Sequence, residues 1–105
     1  MPANPKRTRL RVPKILAAAN GAPCMMAGPE CSNNRETTVA CHLNYGWAGK
    51  GMGQKADDVA VFFACADCHR WFDERRSGHQ YRYRSDAFRA CVRTWRYLIE
   101  TGVLS

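Results

Sequence analysis

The stretch CADCHRWFD, residues 65–73, has two cysteines separated by two residues, a histidine directly after the second, and an aspartate four residues beyond that. Upstream, CMMAGPEC runs from Cys24 to Cys31 and supplies a second pair. Four thiolates on two short loops suit tetrahedral Zn²⁺ in a closed structural site. Either pair alone is weak. Together they predict one zinc held by Cys24, Cys31, Cys65 and Cys68. The competing readings are buried free thiols and, for CADC, a redox pair. A redox pair of the thioredoxin kind needs a βαβ setting, which the pattern of elements does not supply.

His69 and Asp73 are four residues apart, so on a helix they share one face. An imidazole and a carboxylate side by side can hold a hard or borderline divalent ion. His42 lies near the end of a β-branched stretch. A neutral imidazole arriving on a strand can deprotonate a water beside that ion. His79, in SGHQYRYR, reads as a surface-loop residue.

Elements must position these groups. Lys14–Asn20 is a short helix candidate, with Pro13 in its first turn and Gly21 after its end. Gly28-Pro29 makes a turn between the first cysteines. Glu36–Asn44 reads as a strand, Tyr45–Lys55 as a glycine-rich loop, Val59–Ala64 as a second strand, and Ala66–Arg76 as a helix. A histidine on a strand, a loop, a strand and a helix with a metal-binding histidine together make a ββα unit. The last helix is expected from Ser85 as N-cap to a stop at Gly102. Phe88, Cys91, Val92, Trp95, Leu98 and Ile99 give it an apolar face, with Arg89, Arg93 and Arg96 on another. Cys91 reads as a core thiol, and Tyr81 and Tyr83 as half-buried packing.

The chain has 105 residues, enough for one small domain whose core benefits from a metal staple. Its longest apolar run, VAVFFACA, is far too short to span a bilayer, and the basic start MPANPKRTRLRVPK has no apolar segment behind it. The expected setting is therefore reducing and cytoplasmic, which suits six cysteines used as ligands or free thiols. Sixteen Lys and Arg against nine Asp and Glu give a formal charge of +7. They concentrate at the front (Lys6, Arg7, Arg9, Arg11, Lys14) and the back (Arg76, Arg82, Arg84, Arg89, Arg93, Arg96). A polyanion partner follows, nucleic acid first.

CHLN, GKGMGQKADD and CADCHRWFD, in that order, resemble the HNH (ββα-metal) endonuclease superfamily, and within it the prophage-encoded YbcO type of nuclease. The resemblance runs from about Gly21 to Arg76. It implies His42 as general base, His69 and Asp73 as ligands of a catalytic Mg²⁺, Mn²⁺ or other divalent ion, and Asn44 and Asp58 as orienting groups. The ion would stabilise charge on the phosphate and on the leaving 3′ oxygen. Where many members carry a further ligand, this chain has Cys41. Either that thiol turns into the core, or a transition metal recruits it. The glycine loop would bring backbone N–H groups, Lys50 and Lys55 to phosphate.

The expected architecture is α+β: a small ββα-metal domain, its core about residues 36–76, with a four-cysteine zinc lobe and flanking helices. Residues 1–12 form a basic flexible arm, 13–105 the single domain, and about 86–100 its C-terminal helix. The expected function is metal-dependent hydrolysis of DNA phosphodiester bonds, with no membrane partner. The alternatives are a zinc-stapled DNA-binding protein without catalysis, or an adaptor in phage DNA recombination or packaging.

Overall fold

Pro13 opens the first helix, α1 (Pro13–Ala18), where its missing N–H costs nothing and its fixed φ suits the turn. The chain leaves α1 through Gly21 at φ +75°, a left-handed conformation that suits glycine. It then forms the cysteine loop, a 3₁₀ turn at Arg35–Thr37, and strand β1 (Val39–His42). Strand β2 (Val61–Ala64), helix α2 (Ala66–Arg75) and helix α3 (Tyr81–Glu100) follow. These elements come from a computed structural model, which describes residues 9–43, 56–75 and 81–104; for Arg75 and residues 81–84 only the backbone is described. Among the described residues, the result is a small α+β fold with a two-stranded antiparallel sheet and three helices.

The strands pair in the register Val39↔Ala64, Ala40↔Phe63, Cys41↔Phe62 and His42↔Val61. VFFA is buried at all four positions, as expected of a strand covered on both faces. Phe62 meets Phe72 of α2 edge-to-face, with ring centroids 5.1 Å apart. Phe63 meets Tyr97 of α3 at 6.2 Å. Opposed residues share a face, so Val39, Cys41 and Phe62 look toward α2, whereas Ala40, His42, Val61 and Phe63 look the other way. The outer edge of β2 is closed as well. Met25 N donates to Phe63 O at 2.8 Å, and Phe63 N donates to the Thr94 hydroxyl of α3 at 3.0 Å. An edge so paired offers no template to another chain.

Two expectations need correction. Helix α3 begins at Tyr81, so Ser85 lies inside it and is not its N-cap. The stretch from Tyr81 to Arg84 holds neither Gly nor Pro, and the serine has no break to cap. The face that α3 buries also differs from the expected one, sharing with it only Leu98 and the partly buried Cys91. Ala87, Ala90, Thr94 and Leu98 lie against the sheet, while Phe88, Val92, Trp95 and Ile99 are exposed. Small side chains let the helix approach β2 closely, and Thr94 satisfies itself by donating to Ala90 O at 2.7 Å. Cys91 is partly buried and donates to Val61 O at 3.3 Å; burial raises its thiol to about 12. The stop at Gly102 is as expected: its φ is +79°, and Leu104 N returns to Leu98 O at 3.1 Å.

Candidate functional site

Cys24, Cys31, Cys65 and Cys68 converge, their sulfurs all within 4.8 Å of one another. Sulfurs around a tetrahedral Zn²⁺ at a Zn–S distance of about 2.3 Å stand about 3.8 Å apart. The Cys31–Cys65 separation is 3.9 Å. The donor set and its spacing therefore fit zinc.

Backbone N–H groups support the thiolates. Asn33, at φ +52°, turns its N–H onto Cys31 Sγ at 3.3 Å. Cys65 immediately precedes α2, and its carbonyl accepts from His69 N at 2.9 Å. Burial alone would raise the Cys65 thiol. The N–H groups of Cys68 and Ser32 and the Ser32 hydroxyl outweigh that and draw it down to about 6. Burial keeps Cys31 and Cys68 above the ordinary thiol range, and neighbouring Cys24 adds to this. One sulfur thus ionises readily and two resist, so a cation taking all of them must displace protons.

The knuckle also fixes α2. Thr37 Oγ1 accepts from Ala66 N at 3.1 Å, covering an N–H that the helix start leaves open. One turn on, His69 Nε2 and Asp73 Oδ2 are 3.1 Å apart. They lie in an open cleft of ≈ 440 Å³ lined also by Thr37, Val39, Ala66, Arg70 and Glu74. Two donors at right angles around an ion at about 2.1 Å stand about 3 Å apart. The pair thus fits as two ligands of an octahedral ion, and it is 39% and 43% exposed, which leaves room for water on the remaining positions. Among the described residues, the four cysteines are the group of three or more donors close enough to hold a metal.

Cys41, on the face of β1 toward α2, is 3% exposed, with its thiol turned back to Val39 O at 3.8 Å. Burial first, then the Asp73 carboxylate, raises the thiol far above its usual value. It is a core residue.

His42 is held elsewhere. Its Nε2 is 3.0 Å from Asp58 Oδ1, on the ribbon face opposite α2. Asp58 is 1% exposed, and its second oxygen accepts from Val12 N at 2.8 Å. Burial would raise this carboxyl, but the His42 and Val12 hydrogen bonds and the Arg9 charge hold it below the ordinary range. The structure thus joins two of the expected residues, His42 with Asp58, and separately joins His69 with Asp73. Asn44, Lys50 and Lys55 fall outside the described residues.

The expected phosphate-binding arginines are partly engaged. Arg93 donates to Met25 O at 3.3 Å, Arg89 lies 3.4 Å from Asp86, and Arg96 lies 3.2 Å from Glu100. Arg9 is the contact that sequence reasoning missed. It stood there as one charge in a basic block, and nothing local marks a partner 49 positions away. Its segment is docked: Leu10 N donates to Asp57 Oδ1 at 2.9 Å, and Asp58 N to Leu10 O at 2.9 Å. The chain is therefore tethered from Arg9 onward, four residues before Pro13.

A sequence model of the family described as "Putative nuclease YbcO" matches residues 13–103. A solved structure from Escherichia coli str. K-12 substr. MG1655, titled as that of a putative bacteriophage protein, is similar with a TM-score of 0.61 and 27% identity. The likeness covers 83% of this chain and 98% of that one. No curated protein matches.

Proposed function

Because the chain belongs to the YbcO family of putative nucleases, we propose that it is a phage-type HNH endonuclease that hydrolyses DNA phosphodiester bonds. The observation that carries this reading is the His69–Asp73 pair, 3.1 Å apart in an open cleft on the helix that the cysteine knuckle starts. A divalent ion held there, Mg²⁺ or Mn²⁺ first, supplies charge stabilisation at the phosphate and the leaving oxygen. His42 takes the proton of the attacking water. Asp58 and Asn44 orient the ring, and Lys50 and Lys55 meet the phosphate backbone with Arg89, Arg93 and Arg96. A zinc held by the four cysteines would be structural, joining the Cys24–Cys31 loop to the start of α2. The chain acts on phage DNA in the bacterial cytoplasm, and no helix among the described residues is long and apolar enough to cross a membrane. The test is cleavage of plasmid DNA by the zinc-loaded protein with Mg²⁺, Mn²⁺, Ni²⁺ or Zn²⁺ added. Loss of supercoiled substrate that depends on the added ion supports the reading, and no cleavage with any of the four contradicts it.

A second reading has its own observation. His42 is a hydrogen-bonded strand histidine whose Nε2 is already engaged by Asp58, on the face away from His69 and Asp73. In that reading the protein is a zinc-stapled DNA-binding module or an adaptor of phage DNA processing. Salt-sensitive DNA binding without cleavage is its signature, and an adaptor lacks the DNA binding too.

A further inference from the structure

Arg9 is clamped at two points. Its Nε donates to Ala56 O at 3.1 Å and its terminal nitrogen to Asp58 Oδ1 at 2.7 Å. The same nitrogen stands 3.3 Å from His42 Nε2, which is itself 3.0 Å from the same carboxylate oxygen. The three groups cannot all be paired with one another. A guanidinium only donates and an ionised carboxylate only accepts. If Nε2 were bare, its lone pair would face the Asp58 oxygen. With a proton there, Nε2–H donates to Asp58, and Arg9 merely stands beside it. The shorter contacts, both to Oδ1, select this second arrangement.

We propose that Arg9 is a positioning residue for His42: through Asp58 it holds the imidazole neutral with its proton on Nε2, leaving Nδ1 as the nitrogen that accepts a proton. This deepens the nuclease reading and rests on it only for the use of that nitrogen. Without Arg9, the buried carboxylate would face the ring alone, and its charge would favour a second proton on the imidazole. A cationic ring cannot act as a base. With Arg9 in place, the carboxylate is already compensated, so it can orient the ring without charging it. Among the described residues, the other titratable groups around this cluster are Asp57, which accepts from Leu10 N, and Cys91 of α3, which is bonded to the carbonyl opposite His42.

The experiment is a long-range ¹H–¹⁵N imidazole titration of the full-length, zinc-loaded protein, its Arg9→Gln variant and its Arg9→Lys variant. The wild-type His42 ring should show the Nε2-protonated tautomer when neutral. In Arg9→Gln its titration midpoint should rise by about one pH unit relative to wild type, the size of one lost neighbouring charge. Arg9→Lys should restore most of that difference, which a merely structural arginine would not predict. An Nδ1-protonated ring in the wild type, or coincident wild-type and Arg9→Gln midpoints, overturns the proposal. Should Arg9→Gln fail to retain zinc and fold, the wild-type tautomer decides. None of these readouts needs cleavage, so a protein that passes them but cuts no DNA refutes the base assignment and leaves the positioning role intact.

Discussion

Asp58 ties three parts of the chain together: one oxygen takes Arg9 and His42, and the other takes the backbone of Val12. Its carboxyl is held below the ordinary range, so the sign of its linkage is fixed. A group whose folded pKa is lowered stabilises the fold above its unfolded value, about 3.9. That contribution is lost as pH falls through the lower folded value. Thermal stability should therefore drop on acidification below about pH 4, and Asp58→Asn should flatten that limb while lowering stability at neutral pH. An unchanged acid limb in Asp58→Asn would mean that other carboxylates govern it. At this scale the sequence was legible where partners are neighbours. His69 and Asp73 are one helical turn apart, and their pairing follows from spacing alone. The Arg9–Asp58 contact joins residues 49 positions apart, and only the folded chain reveals it.

Helix α3 carries two candidate buried faces, and the folded chain uses the less apolar one. Phe88, Cys91, Val92, Trp95, Leu98 and Ile99 give the stronger periodic signal, but of these only Leu98 is fully buried, and it meets the sheet with Ala87, Ala90 and Thr94. Hydrophobicity ranks side chains and does not measure how near a backbone must come. Thr94 must reach Phe63 N, and only small neighbours allow that approach. Ala90→Leu should therefore overpack the contact and cost about 1–3 kcal/mol. Val92→Asn, at 69% exposure, should change stability by less than about 0.5 kcal/mol. Chemical denaturation of both variants checks the ordering, and the reverse order would restore the sequence-based face. The cysteine knuckle was more legible, because metal-ligand spacing is local within each loop. Zinc analysis should find about one ion per chain. Cys65→Ser should lose the metal and cooperative folding together, since that sulfur both joins the four-cysteine site and sits at the start of α2. A metal-free variant that unfolds as sharply as wild type would contradict a structural zinc.

For the whole molecule, the charge of +7 and the order β1, β2, α2 were readable in advance, but the relative placement of the chemical groups was not. A one-residue step along β1 takes the chain from Cys41, facing α2, to His42, facing away, and no composition or spacing tells which face α2 covers. The basic N-terminus belongs to this scale too. Deleting residues 1–8 removes Lys6 and Arg7 but spares the docked Arg9, so folding should survive. DNA affinity should fall by a similar factor for all sequences, and its salt dependence should flatten, because phosphate contacts release counterions without reading bases. A deletion that alters sequence preference alone would contradict this. The central claim, that a base on β1 and two ion ligands on α2 serve one hydrolysis although they leave the ribbon on opposite faces, is tested most directly by plasmid cleavage with wild type, His42→Ala and Asp73→Ala at matched zinc content. His42→Ala should lose about 10²–10⁴-fold in rate, as expected for a general base, with DNA affinity and thermal stability near wild type. Asp73→Ala should also lose cleavage, and excess Mn²⁺ should restore part of it while leaving His42→Ala inactive. A folded His42→Ala protein that cuts at the wild-type rate would contradict the account.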